Sequence, residues 1–167
     1  MATQIFWDRI APKYARKPVD DPDAYEKQEE LRAMEIAAEA LILFARRHAL
    51  KARELAEGAS TTQRREELLR IAGVCEHVPA HPPRDFWEAI QSYWFVHVGV
   101  ITELNTWDAF NPGHLDQHLE PFYRAGLAEG SLTRAEAEEL LQCLWVKFNN
   151  HPAPPKVGVT AEESATY

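Results

Sequence analysis

Residues 86–101, FWEAIQSYWFVHVGVI, constrain this chain more than any other stretch. Apolar side chains recur there on every side, so the element has no face to give to water and must be enclosed by other structure. Asp85 followed three residues on by Glu88 has capping-box spacing, with Asp in the Ser/Thr role, which predicts a helix start. Periodicity alone leaves 94–101 open to a strand as well. Directly behind it, residues 103–116 gather Glu103, Asn105, Trp107, Asp108, Asn111, His114 and Asp116 into a turn-rich segment. Polar groups that follow at once on a buried element mark the kind of junction where pockets form.

Neighbouring helices enclose that element only in part. A length of 167 residues is on the order of one domain with one core, and 46% hydrophobic residues exclude compositional disorder. A net charge of −8 argues against nucleic-acid and acidic-membrane surfaces, because phosphate binding needs clustered Lys and Arg. No apolar run reaches the roughly 20 residues of a membrane span, and the N-terminus lacks a secretory pattern. A cytoplasmic location is therefore expected, with Cys75 and Cys143 as two reduced, buried thiols rather than a disulfide.

Taken in order, residues 1–25 offer one short helix at most and then a Pro- and Asp-rich loop. Between 23 and 57, Leu31, Met34, Ala38, Leu41, Ile42, Ala45, Ala49, Ala52 and Leu55 recur at three- and four-residue steps, which predicts one long amphipathic helix ending at Gly58. Ser60, Thr61 and Thr62 offer caps for a second helix with a stripe of Leu68, Leu69, Ala72, Cys75 and Val78, stopped by Pro79, Pro82 and Pro83. Asn111 before Pro112 reads as an N-cap before a proline at the first helical position. Leu115, Leu119 and Phe122 then share a face, with Pro121 expected to kink the helix. Thr133 and Glu136 repeat the capping-box spacing ahead of a helix to about 149, burying Ala137, Leu140, Leu141, Leu144, Trp145 and Phe148.

Each candidate for chemistry has a plainer alternative. His114 and His118 stand four apart, a spacing that brings two imidazoles to one metal, but no third ligand lies close in sequence. They read as a packed or solvent-facing pair, and no metal is assigned. His97, inside the apolar element, reads as a hydrogen-bonded core histidine. Glu103, Asp108 and Asp116 are candidate acid–base groups, with loop or cap contacts as the plainer role. Neither cysteine has an activating histidine or helix N-terminus beside it. The charges from Glu54 and Glu57 to Arg64, Arg65, Glu66 and Glu67 read as a solvated face.

From about residue 29 the chain resembles an internal piece of the glycyl radical enzymes, the pyruvate formate-lyase-like family. The stretches LRAMEIAAEALILFARRHALKARELAE, RREELLRIAGVCEHVPAHPPRDFWEAIQSYWFVHVGVITELN, NPGHLDQHLEPFY and LTRAEAEELLQCLWVKFNN carry that resemblance, in the family's order and spacing. It implies a barrel of strands wrapped by helices in the full enzyme. This piece is then mainly α, the helical wrapping, and incomplete on its own. It further implies a small-molecule substrate, a radical-storing glycine and a catalytic cysteine beyond Tyr167, and a partner activase that installs the radical with S-adenosylmethionine and an iron–sulfur cluster. No catalytic residue and no directly bound cofactor is assigned within these residues. The pair shortly after the Glu-x-Asn step faces substrate in one branch of the family, which carries over to Trp107 and Asp108 here. That pair and the tail NNHPAPPKVGVTAEESATY resemble the branch containing isethionate sulfite-lyase.

Residues 1–25 are set apart as a leader, since FWDRIAPKYARKPVDDPDAY resembles the segment before the cofactor domain of small S-adenosylmethionine-dependent methyltransferases, and 26–167 as the partial lyase domain. No glycine-rich nucleotide turn follows it. Besides the lyase piece, two readings stand: a helical protein-interaction module whose partner is the remainder of the barrel or a second copy, and a methyltransferase remnant.

Overall fold

The computed structural model describes residues 23–103 and 111–149, and every regular element among them is an α-helix. The chain divides into two compact units, Met1–Pro82 and Pro83–Tyr167.

In the first unit α1 (Ala24–Glu57) packs on α2 (Thr62–His77). The buried residues of α1 are Ala45, Ala49, Ala52 and Ala56, one helical face of small side chains. From α2 come Leu68, Ala72, Val74 and Cys75. Thr61 caps α2 by accepting the N–H of Arg64 at 3.2 Å. The helix ends at His77 because Val78, ahead of Pro79, is driven to extended backbone at φ −103, ψ 147. Two expected core residues of α1 lie outside this seam: Met34 is 54% exposed and Leu55 49%. Length explains Met34. At 1.5 Å per residue α1 runs ~51 Å and α2 ~24 Å, so α2 covers only about half of its partner. Leu55 sits one residue off the alanine face.

In the second unit α3 (Phe86–Glu103) is flanked by α4 (Leu115–Glu129) and α5 (Arg134–Asn149). The whole of 86–103 is helix, which removes the strand alternative for 94–101. Its core joins Phe86, Ala89 and Ile90 to Leu119, Leu132, Ala137 and Leu144, with Tyr93, Trp94, Phe122, Tyr123 and Phe148 packed around them. Full burial of a side chain such as Phe86 stabilises by roughly 1.5–3 kcal/mol.

Two local expectations change. Pro112 is not the first helical residue: the Asn111 side chain accepts the N–H of Gly113 at 2.8 Å, Gly113 turns left-handed at φ 65, and α4 starts only at Leu115. Pro121 lies inside α4, which runs as one helix from Leu115 to Glu129. Trp145 is 58% exposed rather than core. By contrast, the Thr133–Glu136 box is complete, with Thr133 N donating to Glu136 Oε2 at 2.8 Å and Glu136 N to Thr133 Oγ1 at 3.2 Å.

Candidate functional site

The start of α3 is fixed by charge as well as by ring packing. Glu88 N donates to Asp85 Oδ1 at 2.8 Å, which is half of the expected capping box. The other half is displaced by one residue, because the Glu88 carboxylate accepts from the backbone N–H and guanidinium of Arg84. Glu88 is 2% exposed, so those bonds are what make its burial tolerable. The same bonds, hydrogen bonding ahead of charge, raise the pKa of Arg84.

Near its other end α3 buries His97, 2% exposed. The Tyr93 hydroxyl lies 3.0 Å from Nδ1, Trp94 stacks on the imidazole at 5.2 Å, and Phe148 of α5 meets it edge-on at 4.6 Å. The core-histidine reading therefore holds. Tyr93 escapes sequence reading although its four-residue step to His97 is the signal; Phe148 was legible only as an apolar helix position. Burial pushes the Tyr93 phenol up to about 12.

An open groove of about 980 Å³ lies along α4 and α5, lined by Phe86, Leu119, Tyr123, Leu141 and Trp145 among others. Asp116, Glu138 and Arg134 stand along it, and no cysteine lines it. Among the residues that line it, no nucleophile faces a base.

The remaining sequence candidates separate cleanly. His114, Asp116 and His118 are exposed, and no group of three His, Cys, Asp or Glu that could hold a metal occurs among the described residues. Cys75 is buried, with its thiol pushed up to about 11 by burial first and by Glu76 second. Cys143, expected to be buried, is exposed. It lies one residue off the face that buries Leu144, in a run so apolar that spacing alone does not mark the outer side. Trp107 and Asp108 lie outside the described residues, as do Asn105 and the side chain of Glu103. No described helix is long and apolar enough to cross a membrane.

Comparison with known proteins gives consistent likenesses. A family model described as pyruvate formate lyase-like matches residues 5–167. Trans-4-hydroxy-L-proline dehydratase of Clostridioides difficile is 56% identical over 149 residues, covering 89% of this chain and 19% of that protein. Isethionate sulfite-lyase of Desulfovibrio desulfuricans is 44% identical over 132 residues, 79% of this chain and 16% of that protein. The crystal structure of the Clostridioides difficile hydroxyproline dehydratase with its substrate bound superposes with a TM-score of 0.84 at 53% identity, over 93% of this chain and 20% of that one. The chain thus spans about one fifth of the relatives it matches. Because the family match begins at residue 5, most of the stretch set apart as a methyltransferase-like leader lies inside it, and that second resemblance finds no support.

Proposed function

Since the chain belongs to the pyruvate formate lyase-like family, we propose that it forms part of the helical wrapping of a glycyl radical lyase. Trp107 and Asp108 stand in the wall of that enzyme's substrate pocket. The radical glycine and the thiyl-forming cysteine come from sequence outside these residues, and an activase using S-adenosylmethionine and an iron–sulfur cluster installs the radical. The location is the cytoplasm.

The observation that carries this reading is the 56% identity to a hydroxyproline dehydratase over 149 residues. It also orders the substrates. Trans-4-hydroxy-L-proline, losing its hydroxyl by C–O cleavage, comes first; isethionate, by C–S cleavage, comes second on 44% identity. What the chain itself contributes is position. A bulky indole and a carboxylate side by side limit where a small polar substrate can lie, and reacting atoms must be held roughly 3–3.5 Å apart.

The test is a chimera in which this chain replaces the matching segment of the full-length Clostridioides difficile hydroxyproline dehydratase. After anaerobic activation it is expected to show a glycyl radical signal in electron paramagnetic resonance and to dehydrate trans-4-hydroxy-L-proline. Trp107→Ala or Asp108→Ala should lower turnover by more than stability. A radical-bearing chimera that turns over neither substrate defeats the reading; a glycyl doublet on the 167-residue chain alone would show it to be a small complete enzyme instead.

The interaction-module reading is favoured by one specific feature. On α1, Ile36, Leu43 and Leu50 are 60%, 60% and 68% exposed, a face that water does not suit.

A further inference from the structure

On the side of α1 turned away from the alanine face that packs on α2, an apolar line runs along the helix. Ile36, Leu43 and Leu50, 60%, 60% and 68% exposed, follow one another at seven-residue steps. Each such step turns back only ~20° around a straight helix, so the three stand in one row. The charges beside the row change sign at its middle. Glu39 lies before Leu43, and Arg46 and Arg47 lie after it; further out the signs exchange, with Arg32 before and Glu54 after, all of them exposed.

We propose that this row is a docking surface for a second copy of the chain, the two α1 helices running antiparallel and centred on Leu43. The proposal gives the interaction reading of this face a partner, and it does not depend on the lyase reading.

The direction follows from the order of the residues. In an antiparallel pair each residue meets the one equally far beyond Leu43. Leu43 then packs on its own counterpart and Ile36 on Leu50 of the second copy, so the apolar row closes on itself. Arg32 comes level with Glu54. Glu39 and Arg46 stand on the same flank of the row, ~40° and ~60° round from Leu43, and the two-fold axis of the pair keeps like flanks together. Glu39 of one copy therefore lies one residue, ~1.5 Å along the axis, from Arg46 of the other. The axis repeats each of these matches. Glu29 and Glu57 also come level, but on opposite flanks. A parallel pair interchanges the flanks, which brings Arg46 beside Arg47 of the second copy and sets like charge against like. Exposed ion pairs are individually weak, so the charges choose the direction while the buried apolar row supplies the attraction.

Sedimentation equilibrium of the 167-residue chain is expected to show a monomer–dimer equilibrium that added salt weakens. Glu39→Lys and Arg46→Glu should each raise Kd about tenfold, because the axis makes every change twice, and the double variant should return it to within about threefold of the parent. Both positions are exposed, so helix content by circular dichroism should not change. For direction, Ile36→Cys chains and Leu50→Cys chains, all in a Cys143→Ser background, are mildly oxidised alone and mixed. The mixture should cross-link about tenfold faster than either variant alone, since a disulfide needs Cα atoms within about 7 Å. A monomer at every concentration overturns the proposal, as does a dimer indifferent to both charge reversals. So does a double variant as weak as the single ones, or Ile36→Cys chains that cross-link fastest with themselves. The radical signal and turnover of the chimera test the lyase reading separately, and neither depends on these outcomes.

Discussion

The thiol of Cys75 sits buried on α2, and burial with Glu76 beside it pushes its pKa up to about 11. At neutral pH it is therefore protonated and a poor nucleophile, while Cys143 stands exposed on α5. A disulfide thiol reagent at pH 7.5 is expected to titrate one thiol quickly in the native chain and the second only on unfolding, with Cys143→Ser abolishing the fast phase. Two fast thiols would contradict the burial of Cys75. A second residue-scale effect ties α1 to α2: Arg53 donates Nε to Glu76 Oε1 at 2.8 Å and a terminal nitrogen to Oε2 at 2.7 Å. These hydrogen bonds, the largest cause, hold the Glu76 carboxyl below its ordinary range. A depressed folded-state pKa gives stability that is present above the ordinary Glu value of about 4.3 and lost as pH falls through the folded value. Glu76→Gln should accordingly lower Tm at pH 7, and the difference should shrink toward pH 3.5 and in high salt, the pair being half exposed. An equal loss at both pH values would mean that the carboxylate charge is irrelevant there. Neither effect was legible as function: the Cys75 stripe could be read from spacing, but the reach of Arg53 across 23 residues could not.

Two glycines, both inside helices, separate what an element needs from what it merely tolerates. On α2, a Cβ at Gly73 meets nothing within 4 Å, so Gly73→Ala should stabilise by about 0.5–1 kcal/mol through helix propensity alone. On α4, a Cβ at Gly126 falls 2.8 Å from Leu132 Cβ, an atom fixed to its own backbone and unable to swing aside. Leu132 is held there by its own N–H, which donates to Gly126 O at 3.1 Å beside that of Ser131 at 3.0 Å, after Gly130 turns left-handed at φ 73. Gly126→Ala is expected to cost about 1–3 kcal/mol by overpacking. Urea denaturation of the two variants checks both signs, and a neutral Gly126→Ala would mean that the α4–α5 turn yields more easily than its bonds imply. At this scale the sequence was a good guide to helix existence and a poorer one to helix edges. Capping at Thr61 and Thr133 was readable because Ser/Thr chemistry at fixed offsets is local. The start of α4 was misread because Asn111 serves a turn with the same oxygen that would have served a cap.

On the scale of the whole chain, apolar pattern told where helices lie but not which faces find partners. The stretch 86–101 is enclosed in part within the second unit, as expected of its neighbouring helices: Phe86, Ala89, Ile90, Phe95 and Ile101 are buried, while Val96 is 38% exposed. The amphipathic pattern on α1 is covered by α2 only along its alanine face, and Leu43 and Leu50 lie off that face. Family membership could be read because order and spacing of several helices survive together, whereas the proposed pocket-wall role of Trp107 and Asp108 rests on resemblance alone, which helix periodicity does not encode. The surplus apolar surface has a physical consequence. Leu43 at 60%, Leu50 at 68%, and in the other unit Trp145 at 58% exposure, exceed the scattered apolar side chains that water tolerates singly. The 19.1 kDa chain on its own is therefore expected to elute from size-exclusion chromatography ahead of its monomer position, increasingly so with concentration, and to bind a dye for exposed apolar surface. Leu43→Ser with Leu50→Ser should move elution toward the monomer and dim the dye while leaving helix content unchanged. A compact, dye-silent monomer of the unsubstituted chain would show that the two units close their surfaces without help, and would turn the reading from a piece of a larger lyase toward a self-contained helical module.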